Sequence, residues 1–138
     1  MIVLDTNVVS ELMRAAPSAE VVTWLHEQPA GSLRTTAITV AEIHYGLEQL
    51  PDGRRATELR RIADETLGAF AGQVLPFDVD AANRYGVLVA EHDRTGRPVS
   101  ALDAQIAAIC LSRGASLATR TVRDFGGTGV EVLDPWGP

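Results

Sequence analysis

The sequence predicts an α/β fold, a mostly parallel sheet of about five strands flanked by helices. Short apolar, β-branched runs alternate with longer stretches of helical periodicity along the whole chain. Glycine and proline mark most of the junctions. Strands separated by helices are joined by right-handed crossovers, and that makes them parallel.

Ile2-Val3-Leu4 opens the chain as a buried strand, with a helix from about Asn7 to Met13 behind it. After the break at Pro17 a second helix spans about Ser18 to Gln28, and Pro29 and Gly31 end it. Ser32 to Thr35 is the next strand. Thr39 then opens a helix to about Leu50, with Val40, Ile43, Leu47 and Leu50 on one face. Pro51-Asp52-Gly53 turns the chain into a further helix, about Arg54 to Phe70. Gln73 to Pro76 is a strand, and Asp78 caps a helix from about Val79 to Asp93. The helix from about Ala101 to Arg113 stops at Gly114, a glycine placed where a left-handed residue ends a helix. Ser116 to Ala118 and Val130 to Leu133 complete the sheet. Gly126-Gly127-Thr128-Gly129 opens no helix, so it is a turn and not a dinucleotide loop.

A length of 138 residues with 46% hydrophobic composition predicts one globular domain, residues 1–138. No apolar stretch reaches membrane-spanning length and no signal peptide opens the chain, so a cytoplasmic location is expected. The single cysteine, Cys110, sits in an apolar run and reads as a core residue in a reducing compartment. All 12 basic residues are arginine, the better bidentate reader of phosphate, although the net charge is −6. The missing lysine excludes a P-loop nucleotide-binding site. It also excludes a receiver domain, which relies on a late lysine. Asn7, two positions after Asp5, excludes the paired aspartates of a haloacid-dehalogenase phosphatase.

Four acids, Asp5, Glu42, Asp103 and Asp124, each fall where a strand or loop hands over to a helix. In an open α/β sheet the carboxyl ends of the strands form the ligand crevice. Carboxylates delivered there from separate segments would converge, and converged carboxylates call for a divalent cation. Thr39, Ser100 and Thr121 stand three residues before the last three acids, so each acid alone also reads as part of a capping box. Asp5 alone could be an N-cap. Asp103 shifts the balance. It shares a helix face with Ile106, Ala107 and Cys110, where a charge needs a partner or a metal.

Four segments carry a family resemblance. They are Ile-Val-Leu-Asp-Thr-Asn at 2–7, Thr-Val-Ala-Glu-Ile at 39–43, Asp-Ala-Gln-Ile-Ala-Ala at 103–108 and Thr-Arg-Thr-Val-Arg-Asp-Phe at 119–125. Their order and spacing resemble the PIN-domain family, in particular its VapC-type ribonuclease toxins, and Val-Leu-Asp-Pro-Trp at 132–136 is similar to a common ending of that group. The resemblance implies a metal-dependent endoribonuclease that hydrolyses RNA phosphodiester bonds by metal-activated water. Asp5, Glu42 and Asp103 would hold Mg2+ or Mn2+, with Asp124 contributing directly or through water. Thr6, Asn7, Ser100 and Thr119 would orient carboxylates or the scissile phosphate. Thr121 stands where the family commonly has Asn, and is expected to cap the following turn or to hydrogen-bond a carboxylate or water.

Arg14, Arg94, Arg97, Arg120 and Arg123 are candidate RNA contacts, each equally able to serve in a surface ion pair. The three histidines, His26, His44 and His92, show no metal spacing and are expected at surface or satisfied positions. The family pattern also implies a small antitoxin lying over the acids and a homodimer. Stripes carrying Val8, Val9, Leu12, Ile43, Tyr45 and Leu47 are candidates for the antitoxin groove and, equally, for ordinary core. Other readings are a PIN-fold nuclease of RNA processing or DNA repair, or a degenerate PIN domain that only binds.

Overall fold

A computed structural model describes residues 1–137. The elements run β1 (Ile2–Leu4), α1 (Thr6–Leu12), α2 (Ala19–His26), β2 (Leu33–Thr36), α3 (Ala37–Glu48), α4 (Arg54–Gly68), β3 (Val74–Leu75), α5 (Val79–Arg94), α6 (Ala101–Arg113), β4 (Ser116–Ala118) and β5 (Val132–Leu133). A 3-10 turn, Val122–Phe125, lies between the last two strands. The five strands form one sheet in the order β3-β2-β1-β4-β5, and every pairing is parallel. The expected fold class is therefore borne out, with the sheet parallel throughout.

Side-chain alternation along the strands builds two cores. Val3 and Leu117 point to one face, against Ala104, Ile106, Ala107 and Phe125. Leu4 and Ala118 point to the other, against Val8, Val9, Val21, Ile43, Leu47 and Phe70. A sheet covered on both faces by helices is the usual setting for parallel strands. Burial of Phe125, 1% exposed, contributes roughly 1.5–3 kcal/mol and pins the turn that carries Asp124.

Most helix starts and stops follow local chemistry. Asp78 Oδ1 accepts from the amide of Ala81 at 3.0 Å, and Gly114 closes α6 with φ 62°. One start differs from the sequence expectation. Helix α3 begins at Ala37, capped by Thr36, whose hydroxyl accepts from the Thr39 amide at 3.1 Å. Glu42 is thus not the acid of a capping box but a residue one and a half turns inside the helix. The reason is tertiary. Strand β2 runs on to Thr36 because Thr36 pairs with Leu75 of β3, so the helix starts immediately after it.

The expected groove stripes also need correction. Val8 and Val9 are fully buried in the core, and Tyr45 is 67% exposed, so these residues do not form one open groove. Among the described residues no helix is long and apolar enough to cross a membrane.

Candidate active site

The strand order fixes where a site can be. From β1 the chain builds outward through β2 and β3, then returns to place β4 on the other side of β1. That reversal opens a crevice at the carboxyl ends of β1 and β4. Asp5 follows β1 and Thr119 follows β4, and the Asp5 amide donates to the Ala118 carbonyl at 2.9 Å.

Asp5 is the centre of the arrangement. It is 5% exposed, and both carboxylate oxygens are fixed. The Thr6 amide donates to Oδ1 at 2.8 Å, as expected of an N-cap, and the Thr119 hydroxyl donates to Oδ2 at 2.7 Å. Burial pushes the Asp5 pKa up, the two hydrogen bonds pull it back, and the charges of Asp103 and Glu42 push it up again. Asp103, at the start of α6, is raised chiefly by burial, lowered by Ser100 and raised by the charge of Asp124. The four acids thus form an electrostatic chain, Glu42 to Asp5 to Asp103 to Asp124.

Two adjoining cavities divide these acids. Asp5, Glu42 and Asp103 line a cleft of about 580 Å³, together with Thr6, Asn7, Ser10, Glu11, Arg14 and Thr121. Asp124 lies in a second cavity, with Ser100, Arg97 and Arg123, and Asp103 belongs to both. Asp103 is therefore the hinge of the site.

The supporting side chains form one net. The Thr6 hydroxyl donates to Glu42 Oε1 at 2.7 Å and lies 3.0 Å from the Thr39 hydroxyl. Asn7 Nδ2 donates to the Thr119 hydroxyl at 3.1 Å, and Asn7 Oδ1 accepts from the Arg120 amide at 3.3 Å. The Ser100 hydroxyl accepts from the Asp103 amide at 3.2 Å and so caps α6. Thr121 makes no side-chain cap to its own turn, and no carboxylate bond either. Its hydroxyl lies 3.1 Å from that of Thr119, which joins it to the net around Asp5.

Of the candidate RNA contacts, Arg14 borders the first cleft but is engaged by Glu11 at 3.3 Å. Arg97 and Arg123 line the second cavity. Arg120 stacks over Trp136, 5.0 Å from the ring centroid. Arg94, in the last turn of α5, lines neither cavity. His26 and His44 are exposed, and His92 is buried with Nδ1 3.1 Å from the Leu88 carbonyl. Glu11 went unnoticed in the sequence. It is a buried acid whose Oε2 accepts from the Ser18 amide at 2.9 Å, which ties the end of α1 to the start of α2. Its signal was available, since it follows Val8 by three residues on a helix that must bury that face.

The donor set suits a hard divalent cation, because every candidate ligand is a carboxylate oxygen and two acids raise the pKa of a buried third. Among the described residues no three His, Cys, Asp or Glu side chains are already gathered around one ion's position. The fold brings three carboxylates to the lining of one cleft.

Comparison with known proteins agrees with this fold. A profile of the PIN domain matches residues 2–123. The VapC ribonuclease Y4jK of Sinorhizobium fredii is 42% identical, over 100% of this chain and 99% of that protein. The crystal structure of FitAcB from Neisseria gonorrhoeae has a TM-score of 0.89 at 36% identity and covers 99% of both chains. VapBC-5 of Mycobacterium tuberculosis, from the VapBC family of toxin–antitoxin systems, aligns with a TM-score of 0.66 at 27% identity, covering 96% of this chain and 94% of that one.

Proposed function

Because this chain belongs to the PIN-domain family, we propose that it is a divalent-cation-dependent endoribonuclease toxin, held in check by a small antitoxin. One observation carries the reading: buried Asp5 shares a cleft with Glu42 and Asp103, and both neighbours raise its pKa. Acids in a cleft whose pKa is raised by burial and by neighbouring charges cluster at functional sites. Arg14, the basic side chain on that cleft, is already engaged by Glu11 and leaves the three charges uncompensated.

Magnesium or manganese held by these acids would supply the positive charge that polarises a phosphodiester and an attacking water. The residues of the chain do the placing. Thr119 and Thr6 fix both oxygens of Asp5, and Thr6 holds Glu42 toward the same cleft. Asn7 braces Thr119 and so acts on Asp5 one step removed. Asp103 stands at the boundary of the two cavities, where a strand leaving the cleft would pass.

The antitoxin has a surface to use. Beyond Ser10 and Arg14 the cleft runs into an apolar groove of about 650 Å³, with Met13, Ala15, Ala16, Leu59 and Ile62 on its walls. A segment that lays apolar side chains there and a basic one over the acids would satisfy both surfaces. Comparison with solved VapBC complexes supports such a partner. The cytoplasm, where RNA and antitoxin meet, is the proposed place of action, and residues 1–138 are taken as one nuclease domain.

The test is cleavage of single-stranded RNA by antitoxin-free protein in Mn2+, in EDTA, and as Asp5→Asn and Glu42→Gln. Cleavage that EDTA and either substitution abolish supports the reading. Cleavage indifferent to both contradicts it.

A further inference from the structure

The second cavity asks for its own occupant. It measures about 360 Å³, and His92, Arg97, Pro98, Val99, Ser100, Asp103, Arg123, Asp124 and Gly126 surround it. That places it near the low end of ligand-sized pockets, which run from about 300 to 1,000 Å³. It adjoins the acid cleft through Asp103, so whatever fills it lies beside whatever reacts there.

Its two arginines share the cavity with two carboxylates and pair with neither. Arg14, Arg60, Arg61 and Arg113 all pair with carboxylates. Among the described residues neither Arg97 nor Arg123 has a carboxylate partner or a side-chain hydrogen bond, although both share a cavity with Asp103 and Asp124. In a protein of net charge −6, two guanidinium groups facing one cavity with all donors unused point to an anion from outside.

Arg97 is also held in place. Its amide donates to the His92 carbonyl at 3.0 Å, and the Thr95 hydroxyl donates to the same carbonyl at 3.2 Å, which fixes the loop between α5 and α6. Its guanidinium lies against two successive glycines. A Cβ at Gly126 would come within 3.2 Å of Nη2, and one at Gly127 within 3.1 Å of Nη1. Gly127 also has φ 79°, a conformation other residues adopt at a cost. The glycine-rich turn thus makes the seat on which Arg97 rests.

We propose that this cavity is a second phosphate subsite, in which Arg97 and Arg123 grip the RNA backbone phosphate next to the scissile one and set the path of the strand across Asp103. The inference rests on the nuclease reading and deepens it. Phosphate contacts position a nucleic acid without reading its bases, so the subsite contributes register and not sequence preference.

The experiment is fluorescence anisotropy in EDTA with a fluorescein-labelled, mixed-sequence single-stranded RNA over a salt series, beside kinetics in Mn2+. The proteins are wild type, Arg97→Gln, Arg123→Gln, Arg97→Lys and Arg84→Gln. Arg84 is the control, roughly 15 Å along α5 from that helix's last residue. Loss of one phosphate contact from a single strand lowers the slope of log affinity against log salt by about 0.7. Because they share one phosphate, Arg97→Gln and Arg123→Gln should each lower the slope by part of that amount, bind RNA about fivefold more weakly, and raise KM more than they lower kcat. Arg97→Lys should keep the slope, and Arg84→Gln should match wild type.

Unchanged affinity and slope in both variants would overturn the subsite, as would an equal loss in Arg84→Gln. Variants that weaken only antitoxin binding would make the cavity a protein contact and overturn it too. Should Arg97→Gln lose its fold, the exposed Arg123→Gln carries the same test. Cleavage that needs Asp5 but ignores both arginines sinks the subsite and leaves the nuclease. RNA binding that needs both arginines without cleavage by any protein sinks the nuclease and leaves the subsite.

Discussion

The hydroxyl of Thr119 donates a 2.7 Å hydrogen bond to Oδ2 of Asp5, across 114 residues of sequence. Both residues stand at the carboxyl ends of adjacent central strands, so the bond spans the crevice where the strand order reverses. That hydroxyl also accepts from Asn7 and from the Thr121 amide, which orients its single proton toward the carboxylate.

Thr119→Val removes this bond and leaves the volume nearly unchanged. Partners that orient metal ligands are worth about 10–100-fold in affinity or activity. RNA cleavage should fall by that amount. Thr119 lowers the Asp5 pKa, so its loss raises it, and the acid limb of the pH–rate profile should move to higher pH. Rates measured across pH for both proteins check this.

Asp5 also sets a pH dependence of stability. Its folded pKa lies above 3.8, mainly through burial, so the folded chain holds the proton more tightly than the unfolded one. The stabilising contribution is therefore complete below pH 3.8 and is lost as pH rises through the folded value. Asp5→Asn carries no such loss. In EDTA at pH 7 it should melt above wild type, and the difference should vanish in acid, as thermal melts would record.

Glu11 works in the opposite sense. The Ser18 amide, ahead of Arg14, holds its pKa below 4.5, so its contribution is present above pH 4.5 and is lost as pH falls through the folded value. Glu11→Gln should lower the melting temperature at pH 7 and flatten the acid side of the stability curve. The same melts, continued below pH 4, would show it.

Gly114 ends α6 in the left-handed region at φ 62°, with nothing within 4 Å of the position a Cβ would take. Gly114→Ala should therefore cost about 1 kcal/mol from backbone strain alone. Denaturant unfolding would give that loss, with cleavage per folded molecule unchanged.

Local chemistry was readable in the sequence, and non-local pairing was not. Asp78 and Ser100 start their helices, and Gly114 ends one, through bonds within a few residues, so their roles follow from spacing. The start of α3 depends on Thr36 pairing with Leu75, a partner that the neighbouring residues do not announce. For that reason Thr39 looked like a cap, and Glu42 looked like a capping acid. The four site acids were visible as residues near the junctions of strands or loops with helices. Their division between two cavities was not, because it depends on how the turn holding Phe125 packs beside α6. Glu11 was missed because its partner, the Ser18 amide, lies beyond the bend at Pro17.

The central claim is that Asp5, Glu42 and Asp103 form one cation site. Calorimetric titration of antitoxin-free protein with Mn2+, beside Asp103→Asn, tests it most directly. Saturable binding by wild type that is lost in Asp103→Asn is the predicted result. No binding, or equal binding by both proteins, would contradict it and leave Asp5 as the N-cap of α1, with Glu42 and Asp103 as separate acids on their helices.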